Sequence, residues 1–232
     1  MAKSKCLSAK LPGSLAARSA PMAEVLIRLR YAREMISLRK DAVAMSGRTL
    51  FQSLKPVLRI VSSILAVLPR FLFTLTWPLL ELVPWKLGIL LRYLWAKRLA
   101  KSCGDNVLFE TGVRVTHWEE IELGSNVAIF EMCYLDGKGG ITIGNDVSIA
   151  HQSSLISFEF DLEEASVPLK YAPQRKKPIR IGDDTMIFSG VRIFAGVELA
   201  PRTVIAANAV VRGGIYEPGL YAGLPAEFKK VI

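Results

Sequence analysis

The stretch IGDDTMIFSGVRIFAGVELAPRTVIAANAVV, Ile181 to Val211, returns an aliphatic residue at every sixth position: Ile181, Ile187, Ile193, Leu199, Ile205 and Val211. A period of six is neither the 3.6 of a helix nor the plain alternation of a long strand. It fits short strands joined by tight turns and stacked as coils of a solenoid. The aliphatic side chain points inward each time, and a small residue beside it lets the chain round a corner. Three such units make a triangular coil of about eighteen residues. Sandwich strands recur at about 8 to 12 residues with no fixed six, so the expected fold class is mainly β, a parallel β-helix.

The beat extends toward the N-terminus through Ile143, Ile149 and Leu155, and before them Leu123, Ile129 and Leu135. It slips twice. Eight residues separate Leu135 from Ile143, with DGKGG between them, which reads as a bulged corner. Twenty-six separate Leu155 from Ile181, so twenty extra residues, EFDLEEASVPLKYAPQRKKP, leave the coil as a loop over 159–178. Loops ejected from a rigid scaffold are where binding sites are usually built.

The other half of the chain differs in character. Of 232 residues 51% are hydrophobic, enough for a sizeable core. Met1 to Gly104 holds 18 Lys and Arg against 4 Asp and Glu, while Asp105 to Ile232 holds 12 against 17; the halves carry +14 and −5 within the net +9. The first half is therefore expected to face an anionic partner. Residues 1–21 read as a disordered basic tail, with no apolar run after it of the secretory kind. Residues 22–102 read as a helical, membrane-associating region. It begins with a basic amphipathic helix from Met22 to Met45, in which Val25, Leu26, Leu29, Met35, Ile36 and Leu38 alternate with arginines.

From Val57 to Trp95 the longest uncharged runs, Ile60 to Pro69 and Phe71 to Leu80, are ten residues each, half of what a spanning helix needs. Prolines 69, 78 and 84, aromatic residues Trp77, Trp85, Tyr93 and Trp95, and Arg92, Lys97, Arg98 and Lys101 fit a re-entrant or interfacial segment on an anionic lipid surface. The competing arrangement is helices packed on the second domain or on a sister subunit. Apolar content this dense suits lipid better than phosphate, so nucleic acid is set aside. Cys6, Cys103 and Cys133 show neither CxxC spacing nor an even count, so neither a disulfide framework nor a zinc site is expected, no metal ligand set is assigned, and a reducing cytoplasm is the expected location, with peripheral attachment to the membrane.

From Cys103 to Ile232 the sequence resembles the left-handed β-helix hexapeptide-repeat acyltransferases, in the branch of maltose, galactoside and capsule-sugar O-acetyltransferases. The likeness rests on IELGSNVAI (121–129), GGITIGNDVSIAH (139–151), KPIRIGDDTMIFSGVRIFAGVELAPRTVIAANAVV (177–211) and the closing YAGLPAEFKKVI (221–232). It implies a homotrimer that moves an acetyl group from acetyl-CoA to a saccharide hydroxyl. With the apolar basic half, it points to a saccharide or lipid-linked saccharide acceptor in cell-surface polysaccharide or glycolipid synthesis.

Attack on a thioester by an alcohol needs a base, most often a positioned His. The resemblance puts that His in the ejected loop, where this chain has Phe160, which cannot carry a proton. His151, in SIAH, is the nearer of the two histidines; His117, in VTHWEE, stands further from the loop and is set behind it. Glu159 and Asp161 flank Phe160, Asp161 as a substitute base and Glu159 as an acceptor contact. Asp136, in LDGKGG, corresponds to a position that holds acceptor hydroxyls. For the donor, the likeness implies main-chain groups at Ser189, Gly190, Ala206 and Ala207, with Arg212, Lys229 and Lys230 for its phosphates. Met186 and Phe188 stand where relatives carry other residues, and crowd that groove. The alternative that Phe160 suggests is a catalytically inert trimer acting as scaffold or regulator.

Overall fold

The computed structural model of the protein describes residues 51–163 and 167–232. The expected tail over 1–21, the basic helix over 22–45, Cys6 and Glu164 lie outside the described residues. Three helices, α1 (51–65), α2 (Arg70–Glu81) and α3 (Trp85–Leu99), lead into a β-solenoid of about six turns.

The solenoid has three faces. The first stacks Ser102–Cys103, Ile121–Leu123, Ile141–Ile143, Ile179–Ile181, Val197–Leu199 and Gly214–Tyr216. The second stacks Leu108–Phe109, Ala128–Ile129, Ser148–Ile149, Met186–Ile187, Thr203–Ile205 and Gly219–Ala222, and is closed by Glu227–Lys230 running antiparallel to the last of these. The third stacks Arg114–Thr116, Tyr134–Asp136, Ser154–Ile156, Arg192–Ile193 and Val210–Val211. All other neighbours on these faces are parallel. The inward aliphatics form columns: Phe109, Ile129, Ile149, Ile187 and Ile205 lie one above another and are fully buried. Each such side chain contributes roughly 1.5 to 3 kcal/mol by leaving water.

The six-residue beat is therefore the core, but it begins one coil earlier than Leu123. Cys103 pairs with Leu123 and Phe109 with Ile129. In the lower coils, Leu123 lies twenty residues after Cys103 and Ile143 twenty after Leu123; higher up, Leu199 lies eighteen after Ile181. The two additional residues sit at the corner between the third and first faces. Val115 to Leu123 spans eight residues, as Leu135 to Ile143 does, so two bulged corners stack. The twenty-residue insertion leaves from this same corner one coil above.

The helices and solenoid lie in one compact unit, Phe51 to Ile232. The reason is visible in side chains expected at a lipid boundary. Trp77 is buried against Phe109 and Trp118 and its indole N–H donates to the Val113 carbonyl at 3.2 Å. Tyr93 is buried under Phe51. Arg92, expected from the sequence to flank a membrane segment, is fully buried: its Nε donates to the Phe109 carbonyl at 2.7 Å and its Nη1 to the Leu80 and Val83 carbonyls at 2.7 and 2.8 Å. One guanidinium thus caps the end of α2 and fastens it to the first coil, since the last carbonyls of a helix have no partner of their own. Desolvation lowers its pKa, opposed by Glu110 and Glu81. Trp85, by contrast, is exposed. No helix among the described residues is long and apolar enough to cross a membrane.

Candidate functional site

The corner between the third and first faces gathers the chemistry. Asp136 ends a third-face strand, paired between Thr116 below and Ile156 above. Its carboxylate is almost wholly buried and fully engaged. Oδ1 accepts from the Lys138 amide at 3.2 Å and lies 2.9 Å from Nδ1 of His117; Oδ2 accepts from the Tyr134 hydroxyl at 3.2 Å. The chain can turn this tightly because of its glycines. A Cβ at Gly137 would stand 2.7 Å from the His117 carbonyl oxygen, and one at Gly139 only 1.9 Å from that of Ser157.

One coil up, fully buried Ser157 bolts the insertion to this corner. Its Oγ donates to the Asp136 carbonyl at 2.7 Å and accepts from the Gly139 amide at 2.8 Å, and its carbonyl accepts from the Lys177 amide at 3.0 Å. The insertion opens as a two-stranded antiparallel ribbon, Phe158–Phe160 against Gln174–Lys176. The acids of the leaving strand meet the cations of the returning one. Glu159 pairs with Lys177 at 2.5 Å, and Arg175 holds both Asp161, at 2.7 Å, and Glu163, at 3.1 Å. Asp161 therefore presents its carboxylate to a guanidinium. Phe160 is half exposed and lies edge-on to Phe158. Lys138 stands over the Phe158 ring and donates to the Gln174 side chain, closing the ribbon over the corner.

His151 occupies a different corner, between the second and third faces. There its carbonyl accepts from the Gly190 amide at 3.0 Å, and the Ser189 carbonyl from the Asn208 amide at 2.9 Å. The structure thus aligns His151, Ser189, Gly190, Ala206 and Ala207 along one edge, separate from Asp136, Glu159, Phe160 and Asp161. Gly190, at φ +72°, and the amides of Gly190, Ala206 and Asn208 are spent in that ladder. Met186 and Phe188 are exposed beside it. Arg212 is exposed just after the last third-face strand; Lys229 and Lys230 lie on the closing strand, Lys229 paired with Glu227 at 3.1 Å.

The sequence sets His117 behind His151; the structure places it at the corner of Asp136. It lies beneath Gly137 because the lower coils are twenty residues long, and the equal length of the two eight-residue corners is the signal that could have found it. A cavity of about 520 Å³ lined by Phe51, Lys55, Arg59, Tyr93, Lys97 and others lies at α1 and α3, and none of its lining residues belongs to this corner. Among the described residues no group of three or more His, Cys, Asp or Glu could hold a metal ion.

No protein-family model matches the chain. Among curated proteins it is 33% identical over 97 residues to a probable acetyltransferase of Mycobacterium tuberculosis, covering 42% of this chain and 31% of that protein. It is 33% identical over 134 residues to a Saccharomyces cerevisiae protein whose name assigns it to the acetyltransferases, covering 56% and 66%. A third relative, named for O-acetyl transfer in Escherichia coli lipopolysaccharide biosynthesis, is 24% identical over 55% of this chain and 69% of its own. The chain thus spans about a third of the first relative's length and 66% of the second's. In fold it is similar to a maltose O-acetyltransferase of Clostridium difficile (TM-score 0.61, 23% identity, 72% of this chain and 88% of that one). It is also similar to a galactoside acetyltransferase in complex with coenzyme A (0.60, 22%, 75% and 80%).

Proposed function

We propose that the chain is a hexapeptide-repeat acyltransferase and that it transfers the acetyl group of acetyl-CoA to a hydroxyl of a saccharide, at the surface of a membrane and as a homotrimer. The observation that carries the reading is the ribbon ejected from one corner of the solenoid and rooted on the buried Asp136, in a chain whose relatives bear acetyltransferase names. The chemistry requires that the acceptor oxygen bond to the acetyl carbon while the carbon–sulfur bond breaks, and that the hydroxyl proton end on the departing thiolate. A saccharide acceptor is supported by the maltose and galactoside enzymes of like fold and by the lipopolysaccharide relative; attachment to lipid, by the net charge of +9 and the exposed apolar side chains of α1 and α2.

The donor would run along the edge of Ser189, Gly190, Ala206 and Ala207, with Arg212, Lys229 and Lys230 as cations for its phosphates. Calorimetric titration of acetyl-CoA into the full chain tests the reading without knowledge of the acceptor. We expect saturable binding with Kd between about 1 μM and 1 mM, the usual range for enzyme substrates. No heat of binding to folded protein would refute it. Phe160 favours a second reading, an inert trimeric scaffold; that reading falls if the purified chain turns acetyl-CoA over.

A further inference from the structure

We infer that the base for this transfer is His117, oriented by Asp136, so that the imidazole absent from the ejected loop is supplied by the corner two coils below. The inference rests on the acyl-transfer reading above. A deprotonated carboxylate only accepts hydrogen bonds, so the contact between Asp136 Oδ1 and Nδ1 at 2.9 Å requires the proton on Nδ1. That leaves the Nε2 lone pair free, the arrangement in which a buried carboxylate fixes an imidazole as general base. The carboxylate cannot swing away, because the Lys138 amide and the Tyr134 hydroxyl hold it too.

The imidazole itself stays accessible, its side chain 41% exposed on the corner over which the ribbon leaves. Its backbone is left-handed, φ 54°, a conformation that His accepts more readily than most residues, as do Asn and Asp. No other candidate combines these properties. Phe160 has no proton to exchange, Asp161 is held by Arg175, and His151, on the donor edge, has no carboxylate against it among the described residues. In the transfer, with the donor presented by the edge of a neighbouring protomer of the proposed trimer, Nε2 takes the hydroxyl proton as the oxygen bonds to the acetyl carbon; the carbon–sulfur electron pair goes to sulfur, and Nε2 returns the proton there, leaving the imidazole as it began.

The test uses full-length His117→Asn, since Asn tolerates the left-handed backbone and lacks a basic nitrogen, together with Asp136→Asn, Phe160→His and the double variant His117→Asn/Phe160→His. Acetyl-CoA binding is measured by calorimetry. Turnover is measured as release of the coenzyme thiol with water and with methyl glucoside, methyl galactoside and maltose as acceptors. We expect His117→Asn to lose turnover by about 10² to 10⁴-fold with donor binding unchanged, and the double variant to recover at least part of it. Nitrogen-15 NMR should show His117 protonated at Nδ1 in the parent and a mixture of tautomers in Asp136→Asn. Wild-type turnover in His117→Asn would overturn the inference, as would donor binding with no turnover in the parent or an Nε2-protonated His117. Absence of donor binding by the parent would instead remove the acyl-transfer reading beneath it.

Discussion

Cys103 and Cys133 are thiols held away from reactivity. Burial, partly opposed by Lys97, pushes the first up to about 12; burial, partly opposed by backbone hydrogen bonds, pushes the second up to about 11. Since the thiolate is the nucleophile, neither can carry an acetyl group at neutral pH. Transfer directly from donor to hydroxyl needs no such carrier. We expect iodoacetamide at pH 8 to leave both unmodified in the native protein, by peptide-resolved mass spectrometry, and to alkylate both in denaturant; native labelling of either would show a thiolate that the burial does not allow. At this scale the sequence is legible where a residue's chemistry follows from its own type, as with Phe160, which can never be a base, and not where its place depends on a partner in the next coil. The pairing of His117 with Asp136 depends on the stacking of two corners, Thr116 lying beneath Asp136 and the chain turning left-handed at the next residue.

The ribbon depends on one close approach. Gly139 donates its amide to Ser157 Oγ at 2.8 Å, and a Cβ there would fall 1.9 Å from the Ser157 carbonyl oxygen, which also receives the Lys177 amide. Backbone cannot yield as a side-chain tip does. Gly139→Ala should therefore cost about 1 to 3 kcal/mol, the range for overfilled sites. At about 2 to 4 °C per kcal/mol for a chain of this size, calorimetry would show a fall in Tm of several degrees. Exchange of the Lys177 amide should accelerate more than that of Ile181, deep in the coil. An unchanged Tm would mean that the ribbon is not anchored at this corner. The insertion itself was legible as a gap in the six-residue beat. Its pairing was not, since the charge pairs beside FEF and QRK, Glu159 with Lys177 and Arg175 with Asp161, are worth roughly 0.2 to 1 kcal/mol each when exposed, too small to read as a strand.

At the scale of the molecule, α2 is apolar on both sides, and only one side is used. Phe73, Trp77 and Leu80, at helical spacing, are buried against α3 and the first coil, while Phe71, Leu75 and Leu79 are 65 to 72% exposed. Ile60 and Ile64 of α1 and Trp85 at the start of α3 are exposed as well. The sequence showed the apolar excess but not its division, because both packing on protein and contact with lipid select the same residue types. The packed side accounts for Trp77, Tyr93 and Arg92; the other side calls for a second apolar surface, since contiguous patches of this kind are rarely left to water. The +14 of the first half makes an anionic membrane the fitting one, at about 1 kcal/mol for each Lys or Arg near the surface. We expect the full chain to sediment with phosphatidylglycerol vesicles, less so as salt is raised and the Debye length falls from about 10 Å toward 3 Å. Leu75→Glu with Ile64→Glu should abolish sedimentation at low salt while leaving Tm within a few degrees, because neither side chain touches the core. If the double variant sediments like its parent, protein rather than lipid covers these faces, and charge alone brings the chain to the vesicle.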